Sequence, residues 1–518
     1  MELHESSVEA GLKTRAEGDA GSRARKSAWL ALAFGVGAFV LVFVITSGAG
    51  PGLDPDGMAY LGAATSMAQQ GTLRVPSSQW DAEDSTSALT TWPPAFSIVM
   101  AMPRAVGVGS LLSARIVNAV AAFITATVLF LLFAGAAGIV AAICGVAAVF
   151  ATTAIVGVHL SVLSEPLFLA CLGLTLAAMV GGGARPLVAG IPAALAAMVR
   201  YAGVCAPAAV VLWFFFSGRK SLRARFADAG QAAVVPVIVI GSWLLRSARV
   251  GDSSGTPKLA LNGNLGPTLR EGMQTLTDWL APGVQPPMVQ AIVALVLATA
   301  VVAVVVNGVR RSGEPARRFL RADALLLCSY IFVLMSARVL VGDAIPFDFR
   351  LLAPAILLAE GAIVVAVARY LTGATSNVRR VVIAVCGLWF AASLAQSARD
   401  ASDTITDGSD FASSDWRESP TLEWVRSRSA GRTLFSNWPA AIYFRTSRIA
   451  RDIPQSLDST DLRKFGEILE RSHGALVAFS SQNPDYPPGN SIARALGLVE
   501  AGQFSDGTVW VSPTAGSR

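Results

Sequence analysis

Long apolar runs separated by short polar segments fill most of the first 400 residues of this 518-residue chain. Many of the runs are about 18–25 residues long, and a helix of about 20 apolar residues crosses the ~30 Å hydrocarbon layer of a membrane. The pattern predicts about eleven membrane-spanning helices, near 28–47, 111–134, 138–158, 161–181, 187–200, 203–217, 229–249, 288–308, 323–341, 351–370 and 380–397. Pro192 and Pro207 interrupt the two short runs near 187–217, which we expect to pack as broken helices.

A polar segment, about 48–110, separates the first two predicted spans. Within it, Gly57–Gln70 has the spacing of an amphipathic helix, with Met58, Leu61 and Ala64 on one face, and Gly71 is a suitable C-terminal cap. A second short helix is expected after Pro94, because proline is tolerated in a first helical turn. Both helices are expected to lie along the membrane surface.

The composition changes after about Ser397, where Ser, Asp, Arg and Thr replace the aliphatic runs. The remaining residues predict a small α/β domain. Strands are expected at 433–436, 475–480, 498–504 and 508–512, and helices at 421–427 and 460–471. Asp506-Gly507 has the composition of a hairpin turn between the last two strands.

Composition excludes an ordinary soluble protein, because 53% of the residues are hydrophobic and only 15% are charged. The basic residues that decide orientation cluster before the first span, near 219–225, at 310–321 and at 379–380. The positive-inside rule makes these segments cytoplasmic, and short loops between spans suit nucleic-acid binding poorly. The predicted organisation is a cytoplasmic basic tail (1–27), a transmembrane domain (28–397) with a first outer loop (48–110), and an extracytoplasmic α/β domain (398–518).

This orientation brings many titratable residues to the outer ends of the spans, as a functional site in a membrane protein requires. They are His159, Glu165, Arg200, Arg246, Arg338, Asp343, Asp348 and Arg350. In the outer loop, Asp54 and Asp56 flank Pro55, and Tyr60 lies one helical turn after Asp56 on the same face. The five cysteines lie in apolar runs without metal-binding spacing, so neither disulfides nor a metal site is indicated.

Each candidate also has an interpretation that requires no function. Asp54 or Asp56 is a suitable N-cap for the following helix, and Glu165, just before Pro166, suits the positive end of a helix dipole. Arg200, Arg246 and Arg350 are either interfacial arginines that reach toward water or a phosphate-binding cluster, because guanidinium groups match phosphate oxygens. His159 alone cannot define a metal site.

An ordered set of motifs resembles the GT-C membrane glycosyltransferases, above all glycosyltransferase family 39 with the protein mannosyltransferases and the lipid A aminoarabinose transferases. The resemblance covers about residues 28–370. The motifs are Asp56-Gly-Met-Ala-Tyr60, Trp92-Pro-Pro94, Ser164-Glu-Pro-Leu-Phe168, Arg200-Tyr-Ala-Gly203, Trp243-Leu-Leu-Arg246 and Phe349-Arg-Leu-Leu-Ala-Pro354.

The resemblance implies an inverting glycosyltransferase that takes a sugar from a polyprenyl-phosphate-linked donor in the membrane lipid. The acceptor would be an extracytoplasmic glycan, lipid or protein. Asp56 would be the base or the acceptor-orienting group, Glu165 a second catalytic acid, and Arg200, Arg246 or Arg350 the phosphate ligand. The other expected substrate-binding residues are Asp54, Tyr60, Trp92, His159 and Tyr201.

Two positions depart from the family patterns. Gly57 stands where the mannosyltransferases have an acidic residue, and Trp92 stands where the aminoarabinose branch has a lysine. No cofactor is implied; a divalent cation is compatible with the family but is not indicated by the sequence. The alternatives are a transporter or flippase of lipid-linked glycans, for which charges near the membrane midplane are expected, and a non-catalytic family member.

Overall fold

The computed structural model describes residues 2–76, 78–181, 185–216, 221–250, 265–341, 347–481 and 483–513. In these ranges a helical bundle is followed by a small mixed β-sheet flanked by helices. Three residues predicted to lie at membrane edges, Arg219, Lys220 and Asp343, are outside the described residues.

The bundle contains fifteen α-helices in the described residues. They are α1 (Glu2–Ile45), α2 (Pro55–Gln70), α3 (Ala95–Ala105), α4 (Ser110–Ala137), α5 (Ile139–Val149), α6 (Thr153–Leu160), α7 (Glu165–Val180), α8 (Pro186–Val199), α9 (Cys205–Phe216), α10 (Leu222–Val250), α11 (Gly266–Leu280), α12 (Pro287–Arg311), α13 (Glu314–Val341), α14 (Phe349–Thr372) and α15 (Ser376–Thr406). A 3-10 turn, Tyr201–Val204, joins α8 to α9, and a small antiparallel pair, β1 (Arg74–Val75) and β2 (Ser87–Ala88), lies between α2 and α3.

Seven of the described helices are long and apolar enough to cross a membrane: the apolar part of α1, and α4, α10, α12, α13, α14 and α15. The pair α5 and α6, bent by 58°, makes an eighth if it counts as one broken span. The remaining predicted spans coincide with the shorter apolar helices α7, α8 and α9. Every predicted span is therefore a helix or a helix pair, and the chain is a multi-pass membrane protein.

The outer surface of the bundle is apolar, as contact with lipid requires. Val237 on α10, Leu295 on α12, Phe332 on α13 and Leu388 on α15 are each more than 65% exposed. A water-soluble protein seldom exposes so large and continuous an apolar surface. The interior contains small residues and aromatic rings, with Phe130, Phe133, Phe168 and Phe319 fully buried.

Helix α2 differs from the expected surface helix. Residues Gly57–Ala64 are all buried, because α2 packs against α3 and against residues of the C-terminal region, including Phe411 and Ala441. Its predicted end is confirmed, since Gly71 adopts a left-handed conformation (φ 67°) and its N–H bonds to the carbonyl oxygen of Met67. Burial by the C-terminal region has no counterpart in the local sequence pattern.

The C-terminal region contains a five-stranded sheet in the order β4-β3-β5-β7-β6. Its strands are β3 (Leu434–Ser436), β4 (Ala450–Asp452), β5 (Ala475–Phe479), β6 (Val499–Gln503) and β7 (Gly507–Val511). Its helices are α16 (Ser414–Arg417), α17 (Pro420–Arg428), α18 (Pro439–Thr446), α19 (Ser459–Arg471) and α20 (Gly489–Ala495). Strands β4, β3 and β5 are parallel, whereas β7 is antiparallel to β5 and β6.

The four predicted strands and two predicted helices of this region are present. Four elements were not predicted: β4, α16, α18 and α20. Strand β5 is buried at every position, as is usual for a central strand covered by helices on both faces. The sheet thus forms its own apolar core, separate from the core of the membrane helices.

Candidate active site

Three chain segments meet at the end of the bundle where α2, α7 and α14 begin. The N–H of Gly52 donates to the carbonyl of Leu160, and the N–H of Val162 donates back to Gly52, at 2.9 and 2.8 Å. On the other side of the segment, the N–H of Phe411 donates to the carbonyl of Leu53 at 3.0 Å. These bonds fix the starts of α2 and α7 relative to the chain that follows the last long helix.

Asp54 and Asp56 have different roles at the start of α2. Asp54 is the N-cap, and its Oδ1 accepts the N–H of Gly57 at 2.7 Å. Pro55 occupies the first helical position, where a missing N–H costs nothing. Asp56 makes no capping bond, so its carboxylate is available for other contacts. The non-functional interpretation therefore applies to Asp54 and not to Asp56.

Arg350 connects both aspartates with Glu165. Its Nη1 lies 2.7 Å from Oδ2 of Asp54, its Nη2 lies 2.9 Å from Oδ2 of Asp56, and its Nε lies 3.3 Å from Oε1 of Glu165. Arg350 itself is in the first turn of α14, which Asp348 caps by accepting the N–H of Leu351. One guanidinium group thus holds carboxylates from two other helix starts.

Glu165 is the buried member of this group, with a fully buried side chain. Its Oε1 is shared between Nη1 of Arg200, at 2.8 Å, and Nε of Arg350. Its Oε2 has no hydrogen-bond partner among the described residues. A buried carboxylate oxygen without a donor is costly, so this atom is a favourable position for a donor group on a substrate.

Tyr60 lies beside the same group, as its spacing from Asp56 predicted. Its hydroxyl is 3.2 Å from Oγ of Ser164, which also accepts a hydrogen bond from Nη1 of Arg200 at 3.0 Å. The edges of the Trp92 and Phe96 rings pack against Tyr60, with centroid distances of 6.1 and 5.1 Å. Trp92 therefore contributes packing to the site, and in the described residues no hydrogen bond joins it to the carboxylates.

Tyr201 and Arg246 form a separate line of contacts along the segment between β2 and α3. The hydroxyl of Tyr201 donates to the carbonyl of Thr90 at 2.9 Å and accepts from Nε1 of Trp243 at 3.1 Å. Nη1 of Arg246 donates to the carbonyl of Leu89, and its guanidinium lies 4.8 Å from the Trp243 ring centroid. Among the described residues, Arg246 pairs with no carboxylate, in contrast to Arg200 and Arg350.

His159 is not part of the site that the structure brings together. Its Nδ1 bonds to the carbonyl oxygen of Ile155 at 2.7 Å, and its ring lies 5.9 Å from that of Phe150. It lines a small space next to Leu41 and Val42 of α1. The predicted substrate-binding role of His159 has no support from these contacts, because the ring is buried on the α1 side of α6.

The site carries more negative than positive charge. Removal from water and the neighbouring Asp56 raise the pKa of Asp54 to about 7, against the opposing effects of Arg350 and the Gly57 N–H. Removal from water also raises the pKa of Asp410, although its side chain still reaches solvent, and Arg350 opposes this shift. Burial raises the pKa of Tyr60, which keeps its hydroxyl protonated as a hydrogen-bond donor.

Asp410 is a site residue that sequence reasoning missed. It follows the last long helix, 354 positions after Asp56, and no motif or periodicity marks it. Asp348 was recognised as a titratable residue at a membrane edge, but its role as the N-cap of the helix that bears Arg350 was not predicted. No group of three His, Cys, Asp or Glu side chains within the described ranges is arranged to hold a metal ion.

Fold and site together define a multi-pass membrane protein with a cluster of carboxylates and guanidinium groups at one end of its helices. No family model and no curated protein sequence matches the chain. Among solved structures it is similar to ArnT, an aminoarabinose transferase, from Cupriavidus metallidurans bound to undecaprenyl phosphate, with 14% identity, a TM-score of 0.48, and 95% of this chain and 99% of that chain covered.

The same ArnT in the apo state gives 14% identity and a TM-score of 0.46, covering 93% of this chain and 97% of that one. An oligosaccharyltransferase from Archaeoglobus fulgidus, in complex with Zn and sulfate, gives 12% identity and a TM-score of 0.46, covering 85% of this chain and 68% of that one. Both proteins are GT-C fold membrane glycosyltransferases. Identities this low transfer no residue's role, so the site is interpreted from its own geometry.

Proposed function

We propose that this protein is an inverting glycosyltransferase that moves a sugar from a polyprenyl-phosphate-linked donor to an extracytoplasmic acceptor. The observation that carries the proposal is the binding of Asp54, Asp56 and Glu165 to Arg350, with Arg200 on the far side of Glu165. Carboxylates held in fixed positions by guanidinium groups at a membrane boundary suit proton transfer next to a phosphate leaving group.

Asp56 is the best placed of the three carboxylates to act as the base. Its side chain is 34% exposed, compared with 18% for Asp54 and none for Glu165. In the proposed step the acceptor hydroxyl oxygen bonds to the anomeric carbon while the bond from that carbon to the phosphate oxygen breaks. The hydroxyl proton passes to Asp56, and the polyprenyl phosphate leaves with the bonding electrons.

Arg350 would position Asp56 for this reaction, and Glu165 would position the sugar or the acceptor. Arg350 binds Asp56 through one nitrogen only, which leaves the other carboxylate oxygen available to the acceptor. Oε2 of Glu165, which has no partner among the described residues, would accept a hydrogen bond from the sugar or the acceptor. Charged hydrogen bonds that are already in place need no reorganisation during the reaction.

The three arginines differ in how free they are to bind the phosphate of the leaving group. Arg350 is occupied by three carboxylates and Arg200 by Glu165, whereas Arg246 is held by a carbonyl and an aromatic ring. A guanidinium group without an anionic partner binds phosphate without displacing a carboxylate. We therefore propose Arg246 as the main phosphate ligand, with Tyr201 and Trp243 beside it. The transferred sugar in this proposal is a hexose or a pentose.

The proposed orientation follows from the basic residues at the helix ends. Residues 1–27 and the basic residues at 310–321 and 379–380 would be cytoplasmic, and the site and the C-terminal α/β domain would be on the outer side of the cell membrane. A cysteine introduced at position 56 tests this orientation with membrane-impermeant thiol reagents. Labelling only from the cytoplasmic side would contradict it.

The direct test is transfer from a panel of radiolabelled polyprenyl-phosphate sugars in membranes containing the wild type or Asp56→Asn. We expect at least one donor to be used, and the variant to lose about 100-fold or more of the rate. Asp81→Asn is the matched control, since Asp81 is an exposed carboxylate in the same outer loop. Undiminished transfer by Asp56→Asn would remove Asp56 from the mechanism.

One observation favours a second candidate, a transporter or flippase of lipid-linked glycans. Asp323 on α13 and Glu360 on α14 are buried, and each has a carboxylate oxygen without a hydrogen-bond partner in the described residues. At 1.5 Å per residue they lie about 13 and 16 Å from the starts of their helices, near the middle of a ~30 Å layer. Acidic groups at this depth are typical of ion and proton pathways.

A further inference from the structure

Asp410 belongs to the segment between the last long helix and the C-terminal sheet. Its backbone is left-handed, with φ 51°, which is uncommon for a residue other than glycine and best tolerated by Asn and Asp. It pairs with Leu53 as an isolated β-bridge, and the N–H of Phe411 bonds to the Leu53 carbonyl. These contacts hold Asp410 opposite Leu53, which is the residue before Asp54.

The carboxylate of Asp410 lies against Gly52. A Cβ atom at Gly52 would be 3.0 Å from Oδ2 of Asp410, so the absence of a side chain at Gly52 makes room for the carboxylate. Asp54 and Arg350 are both within electrostatic range of Asp410. In the described part of the chain, the Asp410 side chain makes no hydrogen bond or ion pair, and the residue is exposed to solvent.

Asp410 increases an excess of negative charge at the mouth of the site. Its carboxylate joins those of Asp54, Asp56, Glu165 and Asp348 around the guanidinium groups of Arg200 and Arg350. When all are ionised, five negative groups face two positive groups. Asp410 is exposed, and Asp56 is more exposed than Asp54 or Glu165, so an acceptor arriving from water meets Asp410 and Asp56 before the more buried carboxylates.

We propose that Asp410 is an acceptor-binding carboxylate, which accepts hydrogen bonds from a neutral or cationic polyhydroxylated acceptor and keeps acidic acceptors away from Asp56. The inference deepens the proposed function and rests on it. Carboxylate oxygens accept hydrogen bonds from hydroxyl and ammonium groups, whereas an anionic acceptor would face like charges in a partly desolvated site. The segment after α15 would thus set acceptor specificity.

The test compares three acceptors that differ mainly in charge: methyl glucoside, methyl glucosaminide and methyl glucuronide. Membranes are supplied with a polyprenyl-phosphate sugar that the wild type turns over, and the rate of product formation is measured for each acceptor. We expect the wild type to prefer the neutral and cationic glycosides to the glucuronide by about tenfold or more, and Asp410→Asn to reduce this preference about three- to tenfold.

The readout is a ratio within one preparation, so differences in expression or in the folded fraction cancel. Asparagine tolerates the left-handed conformation at 410, which preserves the local backbone. Asp410→Gly, which also accepts this conformation, gives the same charge change without an amide group. Asp407→Asn is the matched control, because Asp407 is an exposed carboxylate three residues earlier, and its acceptor ratio should equal that of the wild type.

Each outcome is decisive. An unchanged ratio in both Asp410 variants, or a wild type without preference between glucoside and glucuronide, overturns the role of Asp410. Transfer to endogenous acceptors or water but to none of the three glycosides shows that the acceptor class is wrong. A wild type that turns over no polyprenyl-phosphate sugar refutes the proposed function itself, which distinguishes that failure from the others.

Discussion

Nη2 of Arg350 lies 2.9 Å from Oδ2 of Asp56, although the two residues are 294 positions apart. The contact joins the first turn of α14 to the first turn of α2. The guanidinium group gives this carboxylate, which lies beside a membrane span, a charged partner in a fixed position. The same arginine fixes Asp54 and Glu165, so the arrangement of all three acids depends on it.

Arg350→Lys should therefore disrupt more than one contact. A lysine ammonium cannot present three nitrogens in a fixed plane to three carboxylates. We expect a loss of about 100-fold in transfer rate through misplacement of Asp56, and a loss of about 1–3 kcal/mol in the free energy of unfolding, because the ion pairs are only partly exposed. Radiolabel transfer and thermal unfolding in detergent measure the two effects.

The control for this variant is Arg426→Lys. Arg426 pairs with Glu423 on the exposed face of α17, and exposed pairs are worth about 0–1 kcal/mol. Arg426→Lys should therefore have a transfer rate and an unfolding temperature close to those of the wild type. If Arg350→Lys behaves in the same way, Arg350 does not organise the carboxylates.

The raised pKa of Asp54 predicts how the site responds to pH. With its pKa at about 7, Asp54 is mostly protonated below that pH and ionised above it. Ionisation adds a negative charge to a site that already carries more negative than positive charge, so we expect binding of a polyprenyl phosphate to weaken as pH rises through 7, by at most about tenfold per pH unit. Affinity measured between pH 5.5 and 8.5 in nanodiscs tests this trend.

Asp54→Asn isolates the contribution of this one carboxyl group. Asparagine is as good an N-cap as aspartate, so α2 should keep its start while the titration disappears. The ligand's own phosphate also titrates, but it does so equally with both proteins. Curves of the same shape for wild type and variant would show that Asp54 does not titrate in this range.

The raised pKa of Asp54 also predicts how the free energy of unfolding changes with pH. The pKa of Asp54 in the folded protein lies above the ordinary value of 3.8, so the folded state retains a proton that the unfolded state releases. The stabilisation from this group is complete below about pH 4 and is lost as pH rises toward 7. The stability difference between wild type and Asp54→Asn should change with pH in this window and level off above it.

Gly52→Ala tests the junction that fixes the site. A Cβ at this position would collide with the side chains of Ser161 and Ser409 on either side. We expect a loss of about 1–3 kcal/mol from overpacking, together with reduced transfer because α2 and α7 would shift apart. Gly109→Ala is the control, since a Cβ there meets nothing within 4 Å. Equal melting temperatures for the two variants would contradict the close approach.

The sequence predicts the local parts of this molecule well. Apolar runs locate the membrane helices, and the capping glycine locates the end of α2, because these signals act over a few residues. The start of α2 lies at Pro55, two residues before the predicted Gly57. The helical spacing of Asp56 and Tyr60 places both side chains at the site. Glu165 and Arg350 were expected near the site because both lie at predicted outer ends of helices.

Local sequence patterns do not predict which of these residues contact each other. Within the described ranges Arg350 binds carboxylates and Arg246 binds none, a difference that depends on how α10 and α14 pack and that no local pattern specifies. His159 shares the outer-end position of Glu165, but the bend between α5 and α6 turns it toward α1. Asp410 reaches the site through backbone bonds to a segment more than 350 residues earlier, and such contacts leave no sequence signature.

Glu360 distinguishes the enzyme from the transporter. Its Oε1 accepts hydrogen bonds from the hydroxyl of Thr152, at the break between α5 and α6, and from Nε1 of Trp279 on α11. In an enzyme this group is structural, and Glu360→Gln should keep both bonds through its amide oxygen. We therefore expect transfer by Glu360→Gln and Asp323→Asn to stay within about threefold of the wild type.

In a transporter the same two variants would remove the titratable groups of the pathway, and substrate movement would stop. Proteoliposomes with a fluorescent polyprenyl-phosphate sugar allow flipping and transfer to be measured in one preparation. Wild-type flipping that disappears in either variant would support transport and contradict the enzyme assignment. Transfer that survives in both but is lost in Asp56→Asn would place the chemistry at Arg350 and its carboxylates, which combine acids in fixed positions with access from water.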